Sequence, residues 1–228
     1  MFYFFDMNPG LLIVVAAVIL GLVAQSAVNG TYRRFSAVRT GRGLTGAQTA
    51  RRILDSYGLA NVTVEQIQGH LTDHYDPRAG VLRLSHGVYD GSSVAAVGIA
   101  AHEAGHAVQD AMAYGPFRVR QKLVPVVQLG SQMLFPLILG GLFFQMTTLY
   151  YVGAAIYGAA LLFQLVTLPV EFNASNRAVV YLSQSGSITS DEIAGVRSVL
   201  NAAAMTYVAA ALASLGQLVW LLLAGRRR

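Results

Sequence analysis

His102 and His106 stand four residues apart, with Glu103 between them, in the run His102-Glu103-Ala104-Gly105-His106. Four residues turn an α-helix through about 400°, so on a helix both imidazoles point to one side, a turn apart. Two nitrogens placed in this way can hold one zinc ion. Glu103 beside them can take a proton from a water that the metal acidifies, and can pass it to a leaving amine. That is the chemistry of peptide hydrolysis. The setting favours a metal over an ordinary surface patch: VAAVGIAA precedes the run and Ala107-Val108 follows it. Two His and a Glu in so apolar a helix are costly unless paired or metal-bound.

Catalytic zinc takes three protein ligands and keeps one position open. The chain has no cysteine, so the third ligand must be His, Asp or Glu, and thiol catalysis and disulfide scaffolds are excluded. Asp110 lies too far from His102, about 12 Å along the helix axis. His70, His74 and His86 read as surface or hydrogen-bonding histidines. Glu171 is better placed. The apolar runs at 123–145 and 149–168 are separated by a few uncharged residues and should form an antiparallel hairpin. The hairpin returns the chain at 169–172 to the membrane face that it left near Lys122, just past the metal helix. A carboxylate at the end of a span is a functional candidate, and its plainer role would be a pairing with Arg177.

These residues need a helix to carry them and a scaffold to hold it. Ser92 or Ser93 can cap a helix running from Val94 to about Ala113, where Gly115-Pro116 stops it. Upstream, Thr45 and Gln48 have capping-box spacing, and Ala47, Ala50, Ile53, Leu54 and Tyr57 recur at helical intervals before Gly58. Residues 61–67 suit a short strand. The stretch 70–85 reads as two extended pieces joined through Asp76-Pro77-Arg78-Ala79-Gly80. Thr189 and Glu192 repeat the capping-box pattern ahead of an apolar stripe of Ile193, Val196, Val199 and Leu200. The piece around 81–85 could offer an edge for a peptide to pair with. His74, Tyr75, Arg177 and Tyr181 have the chemistry of an oxyanion stabiliser.

The composition names the solvent. Of 228 residues 54% are apolar and 12% charged, about half the charge of a soluble domain. Besides the two hairpin runs, uncharged stretches at 10–29 and 203–224 are each long enough to cross about 30 Å of hydrocarbon. The first reads as a retained span rather than a signal peptide, because MFYFFDMN carries no positive n-region. Positive residues flank the apolar runs instead of forming a nucleic-acid patch. Arg33, Arg34, Arg39 and Arg42 follow the first run, Arg118, Arg120 and Lys122 precede the second, and Arg177 follows the third. With four spans all of these lie on one side, which is then cytoplasmic, and Arg226, Arg227 and Arg228 oppose them from the other. Phe2, Tyr3, Phe117, Tyr150 and Tyr151 near the span ends read as an interfacial aromatic belt.

The stretches LTDHYDPRAGVLRLS, SSVAAVGIAAHEAGHAVQ and LPVEFNASNRA, in that order, resemble the YugP-type family of membrane zinc metallopeptidases over nearly the whole chain. More distantly, the chain is similar to membrane heat-shock proteases and CAAX-prenyl endopeptidases of the gluzincin kind. In those a Glu on a later helix, in an E-x-x-A-D-like motif, is the third zinc ligand. The resemblance places that role on Glu171, with Ala174 matching. Ser175 stands where those relatives have Asp, and Asn173 departs as well, so a serine or an amide would have to orient a ligand histidine in place of a carboxylate.

The expected architecture is a mainly α polytopic membrane protein, with about four transmembrane helices and a small zincin-like α+β catalytic unit. Its parts are an N-terminal span at 1–29, a cytoplasmic zincin-like part at 30–122 and a transmembrane hairpin at 123–169. A third-ligand helix and an amphipathic helix follow at 170–202, and a last span at 203–228. The expected activity is that of a zinc-dependent endopeptidase acting on membrane or membrane-proximal polypeptides. His102, His106 and Glu171 bind Zn2+ and Glu103 is the general base. The partners are the polypeptide substrate and the lipid bilayer, with no nucleic acid. One rival is an intramembrane metalloprotease, which the apolar run before His102 allows but the nearby Asp110 and Arg118 disfavour. The other is a non-catalytic scaffold with a vestigial metal site, which the intact Glu103 argues against.

Overall fold

The computed structural model describes residues 9–144 and 147–226. The expectations for Phe2, Tyr3, Arg227 and Arg228, and for the last residue of the run 123–145, fall outside them. In chain order the elements are α1 (Pro9–Ser36), α2 (Gly46–Ser56), β1 (Thr63–Ile67), β2 (His74–Asp76), β3 (Val81–Ser85), α3 (His86–Tyr89), α4 (Val94–Ala111), α5 (Gly115–Phe144), α6 (Thr147–Gln184) and α7 (Ser190–Arg226). They form two compact units, one of Met1–Gln25, Val119–Leu168 and Met205–Arg228, the other of Ser26–Arg118 and Pro169–Ala204.

The second unit holds the short elements, and local chemistry sets most of their ends. The Thr45 side chain accepts from Gln48 N while the Gln48 side chain accepts from Thr45 N, the reciprocal box expected at the start of α2. Gly58, at φ 72°, follows the last turn. Ser93 Oγ accepts from Ala96 N and opens α4. Thr189 and Glu192 do the same for α7, and the other Glu192 oxygen accepts from Gly41 N at 2.7 Å.

The sheet has the order β1-β3-β2, with β3 parallel to β1 and antiparallel to β2. The Asp76–Gly80 connection closes as an Asx turn, with Asp76 Oδ1 accepting from Arg78 N and Ala79 N. Central β3 buries Leu82 and Leu84 into a core with Leu54, Val88, Val97, Val108, Leu182 and Val196. The four-residue α3, which periodicity does not reveal, continues directly from β3.

The first unit is helical, and its glycines mark where helices meet. A Cβ at Gly130 would stand 3.3 Å from Ile156, and one at Gly140 would stand 3.7 Å from Leu149. Contacts that advance along α5 as they retreat along α6 make the two an antiparallel hairpin, as the short connection implied. Gly10 lies against Trp220, and Gly216 against Ile13, so α1 and α7 also run antiparallel. Many of the apolar side chains on these helices have no protein partner to cover them: Leu22, Leu129, Leu165 and Leu212 are all more than half exposed. Lipid would cover such a surface.

Among the described residues three helices are long and apolar enough to cross a membrane: Pro9–Ser36, Thr148–Gln184 and Ser190–Ala224. α5 carries the second expected run as one helix through Pro125 and Pro136, but its described residues do not reach that standard. Phe117 corrects one expectation. It is 2% exposed and its ring lies 6.1 Å from that of His106, so it packs against the site instead of joining an interfacial belt. The cause is the short turn at 112–114: α5 starts at once and folds Phe117 back onto α4.

Candidate metal centre

Small side chains let α4 reach its neighbours. Ala100, Ala101, Ala104 and Ala107 are all buried, and Gly105 faces the backbone of Ala174 on α6. This close approach sets the turn of α6 that carries Glu171 opposite the turn of α4 that carries the two histidines. His102 Nε2 lies 3.1 Å from Glu171 Oε2, and His106 Nε2 lies 3.7 Å from the same oxygen. The ligand atoms of His102, His106 and Glu171 all fall within 4.8 Å of one another.

The fit to a metal follows from these distances. Ligands about 2.1 Å from a tetrahedral zinc are about 3.4 Å apart, and the two separations of 3.1 and 3.7 Å bracket that value. The donors are two imidazole nitrogens and one carboxylate oxygen, a set that suits zinc and leaves a fourth position for water or substrate. Side-chain exposures of 13%, 8% and 5% for His102, His106 and Glu171 mean that bulk water does little to solvate them, so compensation must come from within the site. Glu103 occupies the adjoining position of α4 and is half-buried.

Each histidine of the cluster also has a partner on its far nitrogen. Ser175 Oγ is 3.1 Å from His102 Nδ1, and Gln109 Oε1 is 3.0 Å from His106 Nδ1. Gln109 Nε2 donates to Val170 O at 2.8 Å and to Asn173 Oδ1 at 3.0 Å, and Arg177 Nε donates to the same Asn173 oxygen at 2.8 Å. Ser175 therefore takes the place left by the missing Asp, whereas Asn173 acts one step further out. Gln109 has no counterpart in the sequence reading. Its signal is there, three residues past His106 and so on the same helix face, but glutamine near a helix end is common.

The remaining polar residues are occupied elsewhere. Asp110 accepts from the Tyr75 hydroxyl at 3.0 Å. Burial, and then that bond, push the Tyr75 phenol up, so it stays protonated. His70 packs edge-on to Tyr32, His74 Nδ1 faces Thr72 O, and His86 Nδ1 faces Gln66 and Asp90. Among the described residues none of the three joins the metal-binding cluster.

Residues 10–226 match the family described as "Putative neutral zinc metallopeptidase". The chain is 48% identical over 205 residues, 90% of its own length and 91% of the relative's, to the "Putative membrane protease YugP" of Bacillus subtilis (strain 168). No solved structure matches it. A family match over nearly every residue, including both halves of a largely buried His-His-Glu cluster, means that the chain belongs to the family described as "Putative neutral zinc metallopeptidase".

Proposed function

We propose that the protein is a multi-pass membrane endopeptidase that uses zinc to hydrolyse peptide bonds in membrane or membrane-proximal polypeptides. The observation that carries this reading is the largely buried convergence of His102, His106 and Glu171 from two helices. These three residues hold the metal. When bound, zinc supplies Lewis acidity, which acidifies water and polarises a carbonyl. Glu103 accepts the proton of the attacking water at a carboxylate oxygen and delivers it to the departing amine nitrogen. Ser175 and Gln109 hold the two rings with their Nε2 atoms toward Glu171. α5 is a span as well, the second of four, and the arginines at 33–42 and 118–120 set the site at the cytoplasmic face.

The test separates binding from chemistry. Glu103→Gln keeps the shape of the side chain and removes its basic oxygen. In full-length protein purified in detergent, this variant should retain near-stoichiometric zinc and lose peptide hydrolysis about a hundredfold or more. Normal turnover by the variant would remove Glu103 from the mechanism, and a wild-type protein that binds zinc but cleaves no polypeptide would overturn the reading.

A further inference from the structure

His106 hangs from a hydrogen-bond line with only one consistent assignment. A backbone carbonyl can only accept, so the Gln109 atom 2.8 Å from Val170 O must be the amide nitrogen. A guanidinium can only donate, so the Asn173 atom facing Arg177 Nε must be the carbonyl oxygen. That oxygen also receives Gln109 Nε2. Two anchors, Val170 and Arg177, thus force the same orientation of the Gln109 amide, and its Oε1 is left for His106 Nδ1. An oxygen with no proton there requires Nδ1 to carry one, which leaves the Nε2 lone pair directed at Glu171. Ser175 imposes no such choice on His102, because a hydroxyl can donate or accept.

We propose that Gln109 is a positioning residue of the metal centre: it fixes His106 as the Nδ1–H tautomer and ties that ring to the turn of α6 that carries Glu171. The proposal rests on the metal-site reading above. Gln109 is fully buried, and its two donor bonds end on Val170 and Asn173, on either side of Glu171 in sequence. One side chain therefore sets both the lone pair of one ligand and its distance from another. Its acceptor is a neutral amide, so it orients the ring without adding the negative charge that a carboxylate partner would bring.

The experiment compares Gln109→Met and Gln109→Glu with wild type in the full-length, detergent-purified protein. The readouts are zinc affinity by chelator competition, the visible spectrum of the cobalt(II) form, and the thermal midpoint without metal. Gln109→Met keeps the volume but leaves the His106 N–H without an acceptor. It should weaken zinc about 10–100-fold and alter the cobalt bands. Gln109→Glu keeps an acceptor for Nδ1–H but sets an oxygen against Val170 O and Asn173 Oδ1, so it should lose part of the affinity, clearly less than Gln109→Met, and keep a near-native cobalt spectrum. Wild-type affinity in Gln109→Met would overturn the proposal. So would equal losses in both variants that follow their thermal midpoints, since that pattern belongs to a mere brace between α4 and α6. Failure of wild type to take up zinc would instead bring down the metal-site reading itself.

Discussion

Gly105→Ala sets two physical effects against each other. Alanine in a helix interior is favoured over glycine by about 1 kcal/mol, so propensity alone predicts a stabler and fully active protein. Packing predicts the opposite. A Cβ at 105 would stand 2.9 Å from Ala174 O and 3.3 Å from Ala174 Cα, where ordinary contact begins at 3.4 Å. Both neighbours are backbone, so no rotamer change relieves the clash, and α4 and α6 must part by about 0.5 Å, as much as a site's productive geometry tolerates. His102 and His106 sit on one of these helices and Glu171 and Ser175 on the other, so the shift falls on the ligand distances themselves. We expect zinc affinity to fall at least about tenfold and turnover at saturating zinc to fall further, toward the hundredfold that a small misplacement can cost. Chelator competition, peptide hydrolysis at saturating zinc and a thermal melt are measured on one preparation. Unchanged affinity and turnover with a raised melting midpoint would refute the argument, because helix propensity would then have decided the outcome. Gly98→Ala is the control: the three atoms nearest its Cβ would be Val196 side-chain atoms, at 3.1 Å and beyond, and these can yield without moving a ligand.

Glu171→Ala should lose zinc affinity as well as activity while the protein still inserts and stays folded, with Glu171→Gln milder for folding but still weak for metal; full zinc content after purification of the Ala variant would take Glu171 out of the ligand set. The chain has no cysteine, so Ala60→Cys at an exposed position after α2 gives a single label. In right-side-out vesicles an impermeant thiol reagent should reach it only after permeabilisation, and labelling without permeabilisation would put the site on the opposite face of the membrane.

The site was legible in the sequence where its geometry is carried by one helix or by one turn of the chain. The pairing of His102 with His106 is readable because the helical period alone puts an i, i+4 pair on one side. Glu171 is readable because two apolar runs with almost no connection must fold back on each other, so the far end of the second returns beside the start of the first. The caps at Thr45, Ser93 and Thr189 are readable because each is closed by residues within three positions of it. Gln109 and Phe117 fail for the opposite reason. What Gln109 does depends on Val170 and Asn173, more than sixty residues away, and no spacing records which atoms of α6 lie across from α4. Phe117 carried the marks of an interfacial aromatic, and only the immediate restart of the chain as α5 turns it onto His106.

The same distinction explains how the cluster is arranged without a second carboxylate beside its histidines. Sequence shows Ser175 and Asn173 where an acidic side chain would orient a ligand, and from spacing alone that looks like a weakened site. In the fold the two histidines are oriented from different elements, His102 by Ser175 on α6 and His106 by Gln109 within α4. A hydroxyl serves one ring and an amide the other. Neither brings a charge into a pocket that already buries Glu171, so desolvation costs less than a second carboxylate would. The rigidity that ionic strength would have given comes instead from the number of bonds on Gln109 and from the glycine-wide gap that lets α4 and α6 touch.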